Sequence, residues 1–568
     1  MKSSPIGRRS FLSGAVAAAA AGLTQGGASG QSPSTSRTAQ AAQLGEPYEL
    51  LGNRLFFTNW YHIRPGSFTW RDEAGKAVGL KSEVPRGAAH LTHTDQPFGI
   101  RLIAQPAQKI GPLIEAERPW EEGAGVALTT VIRDGGMFRG WGAPFTTSGD
   151  PPGQRYFYYL ESHDGLSWVR PNLGIVDVNG SRANNVVNIF DTDGGSIFLD
   201  PSAPASERFK LIAEGPFPPD VIAAYKRQRP GDWDSKITES GTDRSKGVKG
   251  AVSADGVHWK MFPEPLVMEM TDTQLTGYFD AQLRKYVIYT RTWATGPRSP
   301  RAVQHEQQMR SDLPVKASNW WNVGRRSIGR SESSDYRQFP MHEMILEPGP
   351  DLLPSDVLYT NCKTAMPGAP DHHLLFPTIW HTANDTTSVT LAASHDGKMW
   401  HFVPGAPVLE PGPMGAFDGG CLFAHPNLLE LADGRFVLPY TGYSVPHKYP
   451  RKLWKYAPGY AVWPKGRVIA LEAREYGEFA TVGLVPPGRK LRINALTPAG
   501  GSILVEVAGM DGKPLPGRSF AQAKRIIGDQ HWTPVVWGGQ EDLGFEDGAG
   551  IILRFRLDHA QLYGLEFA

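Results

Sequence analysis

Five times along the chain an acidic side chain stands just ahead of an apolar strand: Glu121 or Glu122, Asp193 (or Asp191), Asp272, Asp356 and Asp418. Carboxylates crowded toward one axis cannot all ionise alike. Repulsion and burial raise some pKa values, while nearby cations keep other groups charged. A set split in this way can donate a proton from one acid and use another as base or nucleophile, the division of labour that acetal cleavage requires. Asp193 and Asp272 form the leading catalytic pair, with Glu122 or Asp356 completing the set. Asp200 and Asp280 stand at hairpin turns, and Asp164, Asp255 and Asp396 each precede a turn glycine, so these five read as structural.

Other polar groups read as ligand contacts. Glu121 and Asp418 are the remaining acids of the series. Trp60, His62 and Arg64 fall within six residues, joining a ring face to an imidazole and a guanidinium, and the same segment also reads as a strand with core aromatics. Asn361 and His373 flank a long hairpin, and His425 lies in the following repeat. His372 and His373 would point to opposite faces of a strand, so at most one reaches a ligand. The insertion 294–321, with Arg298, Arg301, His305 and Trp320-Trp321, is expected to loop over the site. No zinc spacing, phosphate loop, nucleophile elbow or His-Glu-x-x-His motif stands in a fitting context, so no metal ligands are assigned and no organic cofactor is expected.

The elements that must position these groups show in the repeats. Ser162-His163-Asp164-Gly165-Leu166-Ser167-Trp168 recurs as Ser253–Trp259 and Ser394–Trp400, with a degenerate copy at Ser331–Tyr336. In each, Asp-Gly makes a tight turn and the aromatic caps a sheet. Between them lie five pairs of short β-branched and aromatic strands joined by turns: 125–133/137–141, 196–199/208–213, 275–279/286–290, 357–364/374–380 and 421–431/435–443. Five such units predict an all-β, five-bladed β-propeller over 121–460. A strand segment, 45–120, would pack on it. Residues 205–213 and 221–229 would hold at most a turn or two of helix. After 465 the strands 467–473, 478–484, 490–495, 502–508, 533–536, 551–555 and 561–567 alternate apolar and polar residues, which predicts a jelly-roll-like C-terminal β-sandwich over 465–568. Cys362 and Cys421 occupy equivalent regions of successive repeats, which leaves open one bridge or two buried thiols.

Gly7-Arg8-Arg9-Ser10-Phe11-Leu12 precedes an Ala-rich run, Ala15–Leu23, too short to span a bilayer. The paired arginines resemble a twin-arginine export signal, so 1–42 reads as signal peptide and linker, and the mature chain is expected in the periplasm or medium, off the membrane. With 58 Lys and Arg against 57 Asp and Glu, no net field draws the chain to nucleic acid.

The Ser-x-Asp-Gly-x-x-Trp turn with Val169–Gly174, Gly180–Val187, Leu199-Asp200-Pro201, Glu207–Lys210, Tyr278–Asp280, Lys285–Val287 and Arg326–Ser333 resembles the five-bladed arabinanase/levansucrase/invertase superfamily of glycoside hydrolases over residues 110–450. The resemblance implies an enzyme that cleaves a polysaccharide or oligosaccharide with three carboxylates: a base or nucleophile Asp, an auxiliary Asp and an acid Glu. Here the first candidate is Glu and the third is Asp, so roles do not transfer in order. Related propellers hold a calcium on the axis in some cases, the one ion the resemblance leaves open. Two alternatives stay open: a non-catalytic carbohydrate-binding propeller, and a polysaccharide lyase using His62, His373 or His425 with Arg64.

Overall fold

The computed structural model describes residues 45–118, 121, 125–142, 156–234, 237, 245–271, 274–294, 325–405, 407–450 and 453–568. The chain divides into two compact units, 1–45 and 46–568. Among the described residues of the second unit the regular structure is almost entirely β, and none of their helices is long and apolar enough to cross a membrane.

Three four-stranded antiparallel sheets follow in chain order. The first holds Thr130–Asp134, Met137–Gly142, Phe157–Ser162 and Val186–Val187. The second holds Asp193–Leu199, Phe209–Pro216, Lys246–Ser253 and Lys260–Met261. The third holds Thr276–Asp280, Lys285–Ala294, Arg325–Ser333 and Glu343–Leu346. The fourth group is two sheets end to end: Asp356–Leu358 pairs Thr378–His381, and Lys363–Met366 pairs Ala369–Leu375. Cys362, at φ 42°, marks the break between them. The fifth sheet holds Cys421–Ala424, Phe436–Tyr443 and Tyr456–Trp463, and its outer edge is Gln108–Ile110 from far earlier in the chain.

Apolar clusters join these sheets in series. Ile132, Trp141, Ile197 and Phe209 link the first to the second. Phe198, Ile212, Leu275 and Ile288 link the second to the third, and Tyr289, Ile328, Leu375 and Trp400 the third to the fourth. Leu374, Phe376, Leu422 and Leu438 share a cluster across the fourth and fifth. Val131, Leu160, Leu429 and Val437 return from the fifth to the first. The repeated turns fasten the series: Asp164 accepts from the backbone N–H groups of Leu166 and Ser167, both at 2.7 Å. Gly256 O accepts from Trp141 Nε1 at 2.8 Å and Gly397 O from Tyr289 OH at 2.7 Å, each across a sheet boundary.

The first strands of the sheets also bond to one another. Ile197 N donates to Thr130 Oγ1 (3.1 Å), Leu275 N to Gly194 O (2.8 Å), Thr276 Oγ1 to Asn361 Oδ1 (2.7 Å), Leu428 N to Thr364 Oγ1 (2.8 Å) and Asn427 Nδ2 to Val131 O (2.9 Å). Gln274 reaches three sheets: Nε2 donates to Ala424 O (2.9 Å), and Oε1 accepts from Cys362 N (2.7 Å).

After residue 465 the strands join one nine-stranded sheet that also takes Tyr48–Glu49, Arg54–Leu55 and Arg101–Ala104. Its spine is a single strand, Ile551–Phe567, where the sequence pattern suggests two. The polar Asp558-His559 step is absorbed inside the strand by His559 at φ 44°. Likewise Ile469–Ala480 runs through with a bulge between Ala473 and Tyr476 instead of breaking. The helix Pro219–Gln228 is longer than the sequence pattern suggests, because Ile222 and Tyr225 find apolar cover from Phe217, Met268 and Met270. Cys362 and Cys421 are buried free thiols.

Replacing Gln274 with Leu leaves the Cys362 N–H and Ala424 carbonyl buried and unpaired. At about 1–3 kcal/mol for each such group, the variant is expected to lose roughly 2–6 kcal/mol, read from urea midpoints. An unchanged midpoint would show that the Gln274 side chain does not tie the fourth and fifth groups together.

Candidate functional site

Each sheet has a leading end, where its first strand begins. At the leading end of the second sheet Asp193 stands directly opposite Glu214. Opposed residues on antiparallel strands hold their Cβ atoms about 5 Å apart, so the two carboxylates belong to one local field. Asp193-Gly194-Gly195 explains the placement. Gly194 takes φ 60°, a Cβ on Gly195 would meet Ala213 Cβ at 2.8 Å, and the register shifts between Asp193 and Ser196. Such a bulge re-aims the side chain beside it.

Asp193 keeps a third of its side chain exposed, with Lys246 Nζ 3.8 Å from Oδ2. Glu214 is fully buried, and its Oε1 accepts from Thr271 N at 3.1 Å. Thr271 and Leu275 therefore lie against Glu214 and Gly194 on either side of the undescribed pair 272–273. Nearby in sequence, buried Glu269 pairs with His342. From the third sheet, the Arg291 guanidinium stacks 4.5 Å over Trp293, and that of Arg326 lies 4.0 Å over Tyr359 of the fourth.

The other expected site residues fall in separate places. Glu122, Asp272 and most of the 294–321 insertion lie outside the described residues. Glu121 is buried and grips Arg170, with Oε1 2.7 Å from Nε and Oε2 3.0 Å from Nη2. Asp418 accepts from Lys109 Nζ (2.8 Å) and Tyr440 OH (3.0 Å), across the fifth sheet toward its outer strand. Asn361 and His425 do meet, through Gln274: Asn361 Nδ2 donates to Gln274 O (2.9 Å), and His425 Nδ1 lies 3.3 Å from Gln274 Nε2. His425 Nε2 is 2.7 Å from Thr441 Oγ1, and burial pushes the imidazole down to about 3.

The fourth group of strands separates its candidates by end. Asp356 pairs with His381 at the leading end, whereas His373 pairs with Ala365 beyond the break at Cys362. At that far end His62 stacks on His372 at 5.0 Å, and Tyr61 stacks on His395 at 4.0 Å. Burial, then His372, pushes His62 down to about 3, and burial with Lys363 pushes His373 down to about 2. Arg64 pairs with Glu46, and its N–H donates to Ala480 O, so it belongs with the C-terminal sheet. Trp60 is half exposed on the same segment. Among the described residues, no three His, Cys, Asp or Glu side chains lie together as a metal ion would need.

Two contributors escape the sequence reading. Glu214 sits late in the apolar run Phe209–Gly215 and is found by pairing register, not by its place before a strand. Gln274 carries no charge to attract notice. Lys363 is a third surprise: wholly inside, its ammonium donates to Thr364 O (2.7 Å) and lies 4.2 Å over the Tyr278 ring, and burial pushes it down to about 7.

No protein-family model matches the chain, and no curated protein matches it. Several solved structures are similar to it in part. One titled "Glycoside hydrolase" aligns at 13% identity over 63% of this chain and 92% of that one, with a TM-score of 0.40. A glycoside hydrolase family 43 arabinoxylan arabinofuranohydrolase from Bacillus subtilis, in complex with cellotetraose, aligns at 11% over 79% and 97%, TM-score 0.31. A GH62 hydrolase in complex with xylotriose aligns at 10% over 63% and 98%, TM-score 0.36.

Arg170→Met strands the Glu121 carboxylate in the interior and is expected to cost about 3–5 kcal/mol of unfolding free energy; a loss under about 1 kcal/mol would show that solvent reaches Glu121. Lys363 gives a pH signature. With its folded pKa near 7 and its unfolded value near 10.5, the unfolded chain binds the extra proton between these limits, so this residue makes stability rise with pH across that window. Lys363→Met should flatten the rise in urea midpoints between pH 7 and 9, and an unaltered slope would contradict the burial.

Proposed function

We propose that this chain is an exported glycoside hydrolase, a five-bladed β-propeller over 121–460 with a C-terminal β-sandwich over 465–568, preceded by a strand segment over 45–120. The serial apolar clusters, the bonds between first strands and the return from the fifth sheet to the first support the propeller. The long Ile551–Phe567 strand, paired on both sides, supports the C-terminal β unit. The Arg8-Arg9 segment supports twin-arginine export to the periplasm or medium, with 1–42 as signal and linker. The ligand is carbohydrate, and the proposed chemistry uses side chains alone.

The observation that carries the enzymatic reading is the Asp193–Glu214 opposition beside Lys246, with the residues flanking Asp272 laid against it. Lys246 favours ionised Asp193, which acts as base or nucleophile at the sugar's anomeric carbon. Asp272 supplies the proton to the leaving oxygen. Glu214, buried behind Asp193, is a positioning residue whose negative charge sets the basicity of its neighbour. Asn361 and His425 hold the floor through Gln274. A lyase base would have to be an accessible imidazole; the burial of His62 and His373 disfavours those two, and His425 has both ring nitrogens engaged by Gln274 and Thr441.

On a polysaccharide that the wild type cleaves, Asp193→Asn and Asp272→Asn should each lower turnover by about 10²-fold or more while binding persists. Glu214→Gln removes a like charge and should move the acid limb of the rate profile to lower pH. Near-normal turnover in both aspartate variants would sink the assignment.

A further inference from the structure

At the leading end of the fourth group of strands, Asp356 has partners of its own. Its Oδ1 lies 3.0 Å from His381 Nδ1, and His381 Nε2 lies 2.9 Å from Ser388 Oγ. The carboxylate is anchored independently, since Oδ2 accepts from Leu353 N at 3.2 Å and the Asp356 carbonyl accepts from the Arg325 guanidinium. A carboxylate can only accept, so the neutral imidazole carries its proton on Nδ1 and turns the Nε2 lone pair to the Ser388 hydroxyl, which must donate. The register holds this order: Asp356 pairs His381, and Ser388 pairs Ile379 on the next strand, two residues from His381 on the same face. Solvent reaches the group, because His381 keeps 28% of its side chain exposed, while Ser388 retains only 4%.

We propose that Ser388, His381 and Asp356 form a second reactive site, an acyl-transfer centre for small O-acyl esters, separate from the Asp193 carboxylates. Ser388 Oγ bonds to the ester carbonyl carbon as its proton passes to His381 Nε2. The bond from that carbon to the alcohol oxygen then breaks, and the alcohol leaves with the proton. Water, deprotonated by the same imidazole, attacks the acyl-serine, releases the carboxylic acid and restores the hydroxyl. Ser388 is 4% exposed, which favours small acyl groups over bulky ones. Asp356 is thereby assigned to this relay and not to the carboxylate set.

A small sulfonyl fluoride tests the proposal on the full-length protein, with the labelled peptide located by mass spectrometry. The native protein should take up one label on Ser388, and the urea-unfolded chain none. His381→Ala should slow labelling by about 10³-fold, and Asp356→Asn by a comparable factor through loss of the correct tautomer. p-Nitrophenyl acetate hydrolysis should fall in parallel. Native wild-type protein left unlabelled at Ser388 would overturn the proposal however the variants fold, as would a His381→Ala variant that labels at the wild-type rate.

Discussion

The seam between the fifth sheet and the first is the constraint on which the rest of the described structure depends. Val131 and Leu160 of one pack with Leu429 and Val437 of the other, and Asn427 Nδ2 crosses to Val131 O. Without that return the five groups of strands would be an open series with two bare faces. The outer strand of the fifth sheet, Gln108–Ile110, comes from ahead of the first sheet, so early and late chain are tied in one ladder. Pairing of this kind holds the seam by backbone hydrogen bonds as well as by apolar area.

Which end of the strands a side chain occupies decides which neighbours it meets. First strands are hydrogen-bonded to one another, and Gln274 bonds to both the fourth and the fifth group. The leading ends then present Asp193, Glu214, Asp356 and His381, while the far end of the fourth group collects His62, His372, His373 and His395. Of these, His62 and His373 are buried, and burial pushes both imidazoles down. The carboxylates that look repetitive have divergent fates: Glu121 is locked to Arg170, Asp418 to Lys109, Asp356 to His381, and Asp193 stays open to solvent beside Lys246.

Much of the strand order was legible because turn chemistry is local. The Ser-x-Asp-Gly turns form as expected. At Asp255 burial works to raise the carboxyl, but hydrogen bonds from His258, Val257 and Ser253 outweigh it and hold the group at about 2. Asp200 and Asp280 likewise bond to their own turn N–H groups. Strand lengths were less legible, since a bulge at Ala473–Tyr476 or a left-handed His559 looks like a break in the pattern. The site was legible only in part. Position before a strand marks Asp193, but only register brings Glu214 opposite it, and only cross-strand geometry joins Asp356 to His381 and Ser388. Long-range pairing leaves no trace in the spacing of a single sequence.

The central claim is that carboxylates at the leading ends hydrolyse glycosidic bonds. Incubating the mature protein with a panel of neutral and uronate polysaccharides, and following both new reducing ends and ultraviolet absorbance, tests it most directly. Hydrolysis predicts reducing ends from at least one polymer with no conjugated alkene among the products. An absorbing unsaturated product, or polymer binding with no cleavage anywhere in the panel, would contradict it.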